Sequence, residues 1–296
     1  VGEVTAISWC DHTWNPWIGC TKVSPACDGC YAEQLMDKRH GRVEWGAPGK
    51  GVGTRSRTSA STWNDPFRWH RKAEKAGTRP FVFCASLADI FDNQVPAEWR
   101  AEAFEVMRRT PRLVYLLLTK RPQNIVGLCR QAGGLPRNAA LGTTVEDQKR
   151  FDTNVPALRA AKHLVDPAFA FLSCEPLLGP VAGPLHGIDW VITGGETDQG
   201  EHKARPSHPS WFRSLRDQTD EVGAAFHHKQ NGEWMPRGYA FALGLIPEPY
   251  APVDGRNIIA PWGSSDVVMA RVGKRLSGRL VDFVLHDARP EVPAHD

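Results

Sequence analysis

The chain has 296 residues, 41% of them hydrophobic and 23% charged, with a formal net charge of +3. That composition suits a folded globular protein with a sizeable core, in one large domain or two small ones. No apolar run approaches the ~18 residues of a membrane span, and the opening VGEVTAISWC has no basic stretch followed by an apolar one. A cytoplasmic protein without membrane contact is therefore expected.

In chain order, the first apolar run, Ala6–Thr13, reads as a strand. It leads into WIGCTKVSPACDGCYAE, where Cys20, Cys27 and Cys30 are spaced C-x6-C-x2-C. Gly19, Pro25 and Gly29 supply the bends such a loop needs. A helix-like stretch, YAEQLMDKR, follows. Between Asp37 and Arg79 stand 11 Lys/Arg and 4 Asp/Glu, a local balance of +7 that leaves −4 for the rest. This basic insertion (38–79) interleaves Trp45, Trp63, Phe67 and Trp69 with Gly-rich and Ser/Thr-rich patches. A flexible basic segment with aromatics can neutralise phosphates and stack on bases. Its candidate nucleic-acid contacts are Arg55, Arg57, Arg68, Trp69, Arg71 and Lys72. The alternative is a solvated insertion whose aromatics pack back on the core.

Six further apolar runs read as strands: Phe81–Ser86, Leu113–Lys120, Ala139–Glu146, Ala170–Glu175, Trp190–Glu196 and Ala225–Gln230. They are mostly apolar rather than alternating, as in strands buried on both faces. Helical spacing marks Pro96–Arg109, Glu146–Ala161 (with a break or kink expected at Pro156) and Ser210–Glu221, started by a Ser cap. Strands alternating with helices mean a parallel sheet. The expected fold is α/β, a complete or partial parallel (β/α) barrel over residues 1–235, with a doubly wound sheet as the alternative. A C-terminal extension, 236–296, shows two apolar runs, Ser265–Val272 and Arg279–His286, around a turn-like GKRLSG, and a β-hairpin is expected there.

The strand ends favour the barrel, because barrel enzymes draw their chemistry from the C-terminal ends of several strands. These ends carry Ser86 with Asp89, Thr119-Lys120-Arg121, Thr143-Thr144 with Glu146, Ser173-Cys174-Glu175, Gly194-Gly195-Glu196 and Lys229-Gln230. Seven cysteines, an odd number in a chain this long, argue against a disulfide framework. Three thiolates from one loop can hold three irons of a 4Fe–4S cluster and leave the fourth open. Rival readings are a zinc site completed by Cys10, His12 or His40, a redox dithiol at Cys27 and Cys30, and packed structural thiols. No Walker loop is present, and the adjacent His227-His228 would point to opposite sides of a strand.

A three-cysteine loop after strand one, a β/α barrel and a Gly-Gly-Glu at a strand end together resemble the radical S-adenosylmethionine enzymes. The string TWNPWIGCTKVSPACDGCYAE, with LLLTKRPQN, LSCEPLLGP, WVITGGE and HHKQNG, resembles more closely a phage- and prophage-associated family of three-cysteine proteins, similar in outline to spore photoproduct lyase. That resemblance covers roughly residues 6–235. The pattern departs from the radical enzymes in three ways. Their first cysteine gap is three residues, not six; an aromatic precedes their third cysteine, where this chain has Gly29; and their Gly-Gly-Glu comes earlier in the strand order.

The resemblance implies that Cys20, Cys27 and Cys30 bind a 4Fe–4S cluster. It also implies that S-adenosylmethionine is cleaved there to a 5′-deoxyadenosyl radical, with an external electron donor and room for a partner protein. Side-chain chemistry suggests the remaining roles. Lys120 and Arg121 could neutralise a carboxylate or phosphate. Glu146, Glu175 or Glu196 could accept from an ammonium or ribose hydroxyls. Ser86, Thr144, Ser173, Gly194, Gly195 and Tyr31 complete the cofactor-binding candidates. Cys174, Lys120 and Glu175 are the catalytic candidates, Cys174 or Tyr31 as a hydrogen donor to a product radical. The basic insertion makes DNA or RNA the expected substrate, for modification or repair. The alternative function is a zinc- or cluster-stabilised nucleic-acid-binding protein without radical chemistry; a further one is an ordinary barrel hydrolase or lyase using Glu175 and Glu196 as acid and base.

Overall fold

Seven short runs supply seven parallel strands, the first run (Ala6–Thr13) only through its last two residues: β1 His12–Thr13, β2 Phe81–Cys84, β3 Val114–Thr119, β4 Ala139–Thr144, β5 Ala170–Cys174, β6 Trp190–Gly194 and β7 Ala225–Gln230. They hydrogen-bond in sequence order within one sheet. The structure is a computed structural model that describes residues 5–247, 257–260 and 267–292. Five helices of seven or more residues connect the strands: α1 Ala60–Ala76, α2 Ala97–Arg108, α3 Ile125–Gln131, α4 Gln148–Val165 and α5 Pro209–Glu221.

Two separate cores decide between the barrel and the doubly wound sheet. Val82, Cys84, Tyr115, Leu117, Leu141, Leu172 and Val191 pack with the helix residues Trp69, Phe104, Ile125, Leu158 and Phe212. Their strand neighbours Phe81, Phe83, Val114, Leu116, Ala140, Phe171, Trp190 and Ile192 form a second cluster with Trp9 and Cys10, and no helix contributes to it. Side chains alternate across a strand, so the helices cover one face and the other face curls upon itself. A doubly wound sheet would carry helices on both faces. The fold is therefore a partial (β/α) barrel. Each large side chain so buried contributes roughly 1.5–3 kcal/mol.

β1 and β7 are the two ends of the sheet. The C-terminal segment spans the gap between them. His228 N donates to His286 O at 2.9 Å, Trp190 Nε1 to Ala288 O at 2.9 Å, and Arg289 pairs with Asp11 at 3.1 Å.

Four local features differ from the sequence expectations. Much of the basic insertion is regular structure: residues 60–76 form α1, capped by Ser59 accepting from Thr62 N and ended by Gly77 in the left-handed region. Helix α4 is not broken at Pro156 but continues through it. The bond Pro156 removes would have ended on the carbonyl of exposed Asp152, which water can serve, while buried Phe151, Val155, Leu158 and Ala161 hold the helix down. Helix α5 is capped by His208 rather than Ser210. Finally, the two C-terminal runs do not pair with each other. Val267–Arg271 pairs antiparallel with Trp234–Pro236 and with Asn257–Ala260, and Leu280–Val281 folds onto Val284–Leu285. GKRLSG holds a helical turn, Lys274–Ser277, and residues 265–266 of the first run lie outside the described residues. No helix among the described residues is long and apolar enough to cross a membrane.

Candidate functional site

The three-cysteine loop lies over the C-terminal ends of the strands, and side chains from those ends hold it. Beyond β3, Arg121 donates from Nη1 to Cys20 Sγ at 3.5 Å and to Asp89 at 2.8 Å, and from Nη2 to Thr21 O at 2.7 Å. Beyond β4, Glu146 Oε1 accepts from Ala26 N at 3.4 Å. Beyond β6, Glu196 accepts from Arg205 at 2.6 Å, and His202 Nε2 stands 3.0 Å from its Oε1. Arg205 in turn donates to Pro25 O at 3.0 Å and pairs with Asp28 at 3.3 Å. Near β2, Tyr31 Oη donates to Ser86 O at 2.8 Å, and Ser86 Oγ accepts from Asn15 at 3.0 Å. Four strand ends thus fix one loop.

The same contacts explain Gly29 in place of an aromatic. A Cβ there would lie 2.6 Å from His202 Cδ2 and 3.2 Å from Glu196 Oε1. The glycines of Gly-Gly-Glu have a similar origin. A Cβ on Gly194 would meet Glu175 Oε1 at 2.6 Å, and one on Gly195 would collide with the Asn231 carbonyl.

Electrostatically the loop is a set of thiols, Cys27 buried and Cys20 and Cys30 half-buried, with cations beside it. Burial, reinforced by Asp89, pushes the Cys20 thiol up to about 12 against the pull of Arg121. Burial likewise raises Cys30. For Lys120 burial pulls downward, but Cys27, Cys30, Glu146 and Asp89 outweigh it and keep the ammonium charged. Arg121 is held charged in the same way, burial being outweighed chiefly by Asp89 and Cys20. Buried thiols shed their protons when a metal replaces them, so occupation of this loop is coupled to proton release.

Ser173 is buried on the same strand face as Phe171, the curled face. At the ends of β4, Thr144 and Glu146 are each 1% exposed. Thr144 Oγ1 and Glu146 Oε2 have no hydrogen-bond partner among the described residues. Buried polar atoms without partners cost about 1–3 kcal/mol each, and they mark this interior as built to meet another polar group. Glu175 pairs with Lys229 across it at 2.9 Å. Glu196 is different: the guanidinium of Arg205 takes up its carboxylate, and despite the opposing effect of burial the hydrogen bonds from Arg205 hold its pKa low.

Other candidates are placed elsewhere. Cys174 and Cys84 lie in the layer between sheet and helices, so Cys174 faces away from the loop. Of the basic-insertion residues, Trp69 is 1% exposed and stacks on His12 at 4.5 Å. Arg55 is buried on Asp92 at 2.9 Å, and Arg57 lies 3.9 Å over the Trp63 ring and pairs with Glu102. Arg68 pairs with Asp65 at 2.9 Å. Arg71 and Lys72 are exposed on α1. Of the aromatics expected to stack on bases, Trp63 and Trp69 are thus core residues of the barrel wall, Phe67 packs partly buried against the same core, and Trp45 packs partly buried beside the loop.

Among the described residues, no group of three or more His, Cys, Asp or Glu side chains is gathered closely enough to hold a single metal ion. Of the fourth ligands a zinc site would use, Cys10 lies in the interior aromatic cluster, His12 stacks on Trp69, and His40 is exposed. Thiolates that each bind a different iron of a cluster need not converge on one centre.

A family model described as "Protein of unknown function (DUF5131)" matches residues 4–290. The chain belongs to this family. A comparison with curated proteins found no match. Among solved structures the chain is similar to a spore photoproduct lyase double mutant with bound AdoMet and dinucleoside spore photoproduct. The identity is 11% and the TM-score 0.44, covering 88% of this chain and 68% of that one. A single mutant of the same lyase aligns at 11% identity and TM-score 0.45, covering 92% and 72%.

Reading the sequence missed Arg205, His202 and Asn15. Asn15 lies within the TWNPWIGC string, but nothing there marks it as a partner of Ser86; Arg205 and His202 belong to none of the strings singled out. The available signal was indirect: a carboxylate such as Glu196 at a buried strand end requires a cation, and Arg205 is the nearest Arg downstream.

Proposed function

We propose that the protein is a radical S-adenosylmethionine enzyme acting on nucleic acid, as expected of the phage-associated three-cysteine proteins that its sequence resembles. One observation carries the reading: Cys20, Cys27 and Cys30 share a loop that four strand ends of a partial barrel hold in place, with Arg121 donating to one of its sulfurs and Lys120 kept charged by Cys27 and Cys30. Three thiolates in a cationic, partly buried setting suit an anionic 4Fe–4S cluster. When bound, the cluster and S-adenosylmethionine supply a carbon-centred radical that removes hydrogen from a substrate.

The chain's own residues bind, orient and shield. Cys20, Cys27 and Cys30 would each hold one iron. Arg121 fixes the Cys20 sulfur and Lys120 offsets charge beside Cys27 and Cys30. Thr144 and Ser173 line the buried interior and offer oxygen atoms to the amino and hydroxyl groups of S-adenosylmethionine. Glu175 and Lys229 pair across the same interior, where the apolar cluster below excludes water. Arg205 and Glu196 keep the loop seated, a positioning role. A one-electron donor must come from outside the chain. The test is anaerobic reconstitution followed by assay for iron, sulfide and 5′-deoxyadenosine. Iron and sulfide near four per chain, with 5′-deoxyadenosine released on reduction, is the expected result. Tightly held zinc without iron would overturn it.

A further inference from the structure

Beside the three-cysteine loop lies a cavity of about 220 Å³ that shares only Lys120 with the scheme above. Its walls are Ser24 of the loop, Lys120 and Gln123 beyond β3, Glu146 beyond β4, and Lys149 and Arg150 on the first turn of α4. Three cations against one carboxylate give it a positive balance. The carboxylate is only partly satisfied: Arg150 Nε stands 3.7 Å from Glu146 Oε1, and Glu146 Oε2 has no hydrogen-bond partner among the described residues. Lys149 is exposed, so its ammonium reaches the cavity from solvent.

A ligand that answers all of these groups must offer an anion to Lys149, Arg150 and Lys120. It must also offer a hydroxyl or N–H donor to Glu146. A simple anion leaves Glu146 Oε2 unmet, and a simple cation or sugar leaves the three cations unmet. A phosphate ester on a hydroxyl-bearing sugar meets both demands. The cavity is smaller than the ~300–1,000 Å³ of pockets that enclose whole drug-sized molecules, which suits one phosphate and its sugar with the remainder outside.

We propose that this cavity is a nucleotide-phosphate subsite: Lys149 and Arg150 take the phosphate, Lys120 lends charge from the floor, and Glu146 accepts from a sugar hydroxyl. This deepens the reading of the loop as the cluster site, because it sets one phosphate of the substrate immediately beside the thiols. It also moves the nucleic-acid contact from the basic insertion to the first turn of α4. Free nucleotides and nucleic-acid strands share this chemistry.

The test is direct binding, so it does not pass through cluster chemistry. Deoxyadenosine 5′-monophosphate, deoxyadenosine, inorganic phosphate and a labelled single-stranded 12-mer are titrated into the full chain, as purified and after reconstitution. The monophosphate is expected to bind at least tenfold more tightly than the nucleoside and to be displaced by inorganic phosphate. K149Q and R150Q should each weaken it about tenfold, as loss of one charge-assisted hydrogen bond does. R71Q, on the outer face of α1, should leave it unchanged. A 12-mer binding far more tightly than the monophosphate, with the same K149Q loss, assigns the site to a strand; equal affinities assign it to free nucleotides. Equal binding of nucleoside and monophosphate, or K149Q and R150Q variants that bind like the parent, overturns the proposal. A chain that builds its cluster yet fails this test loses the subsite alone, and one that passes it without a cluster loses the radical reading alone.

Discussion

Two groups of cysteines in this chain have opposite surroundings. Cys20, Cys27 and Cys30 share a loop beside Lys120 and Arg121 and are tied to four strand ends. Cys84, Cys129 and Cys174 lie between sheet and helices among apolar side chains. Burial alone raises the Cys84 thiol, and burial dominates for Cys174 and Cys129. The first group has partners for a thiolate; in the second only Cys129 has a cation near it, Arg100, whose hydrogen bonds go to the Ile90 and Asp92 carbonyls. The lesson is that a cysteine's chemistry follows its neighbours, not its burial: Cys20 and Cys129 are both raised to about 12, yet only Cys20 accepts from a guanidinium.

The largest expected effect separates these groups outright. C20S, C27S or C30S should abolish iron retention after anaerobic reconstitution, whereas C84A or C174A should keep it. The latter pair should instead lower stability on the order of 1 kcal/mol, read by denaturant unfolding. Iron retained in all three loop variants would erase the distinction.

Next come the groups that seat the loop. Glu196→Gln leaves Arg205 with the more exposed Asp28 as its anion and should destabilise the chain by about 2 kcal/mol, with a several-fold loss of cluster loading. Gly29→Ala should impair loading through its clash with His202. Adding His202→Ala should restore much of it, a rescue that a purely conformational role for Gly29 does not allow.

A third effect concerns pH. Burial, helped by Arg279 and Arg289, lowers His227 to about 4, and burial lowers His228 to about 3. Both are neutral in the fold at pH values where the unfolded chain binds protons. Their contribution is therefore complete above about pH 6.5 and is lost as pH falls toward 4 and then 3. For His227 the loss is about 3 kcal/mol, read as a falling Tm between pH 6.5 and 4. H227Q should flatten that fall. The smallest effect belongs to α1: R71Q should change oligonucleotide affinity by less than twofold.

Much of the barrel is legible in the sequence. Seven strands stand out because each is a short apolar run, Leu113–Lys120 and Ala170–Glu175 most plainly. The loop cysteines stand out because three of the seven fall within eleven residues. Helix α1 is less visible, because Ser, Thr and Pro66 obscure it; yet Ser59, buried Trp63, Pro66, Trp69 and Ala73, and Gly77 spell a cap, a stripe and a stop. Once it is a helix, its tryptophans face the core and cannot stack on bases. Which strand face a residue takes decides the fate of Cys174 and Ser173, adjacent in sequence but on opposite faces. The partner of Glu196 is not legible either, since Arg205 meets it through a loop whose path no local rule dictates.

The most direct test of the account is a low-temperature EPR spectrum of the anaerobically reconstituted, reduced protein, recorded with and without S-adenosylmethionine. A 4Fe–4S signal that shifts on addition of S-adenosylmethionine is the predicted result. A signal indifferent to it, or zinc in place of iron, would contradict the account.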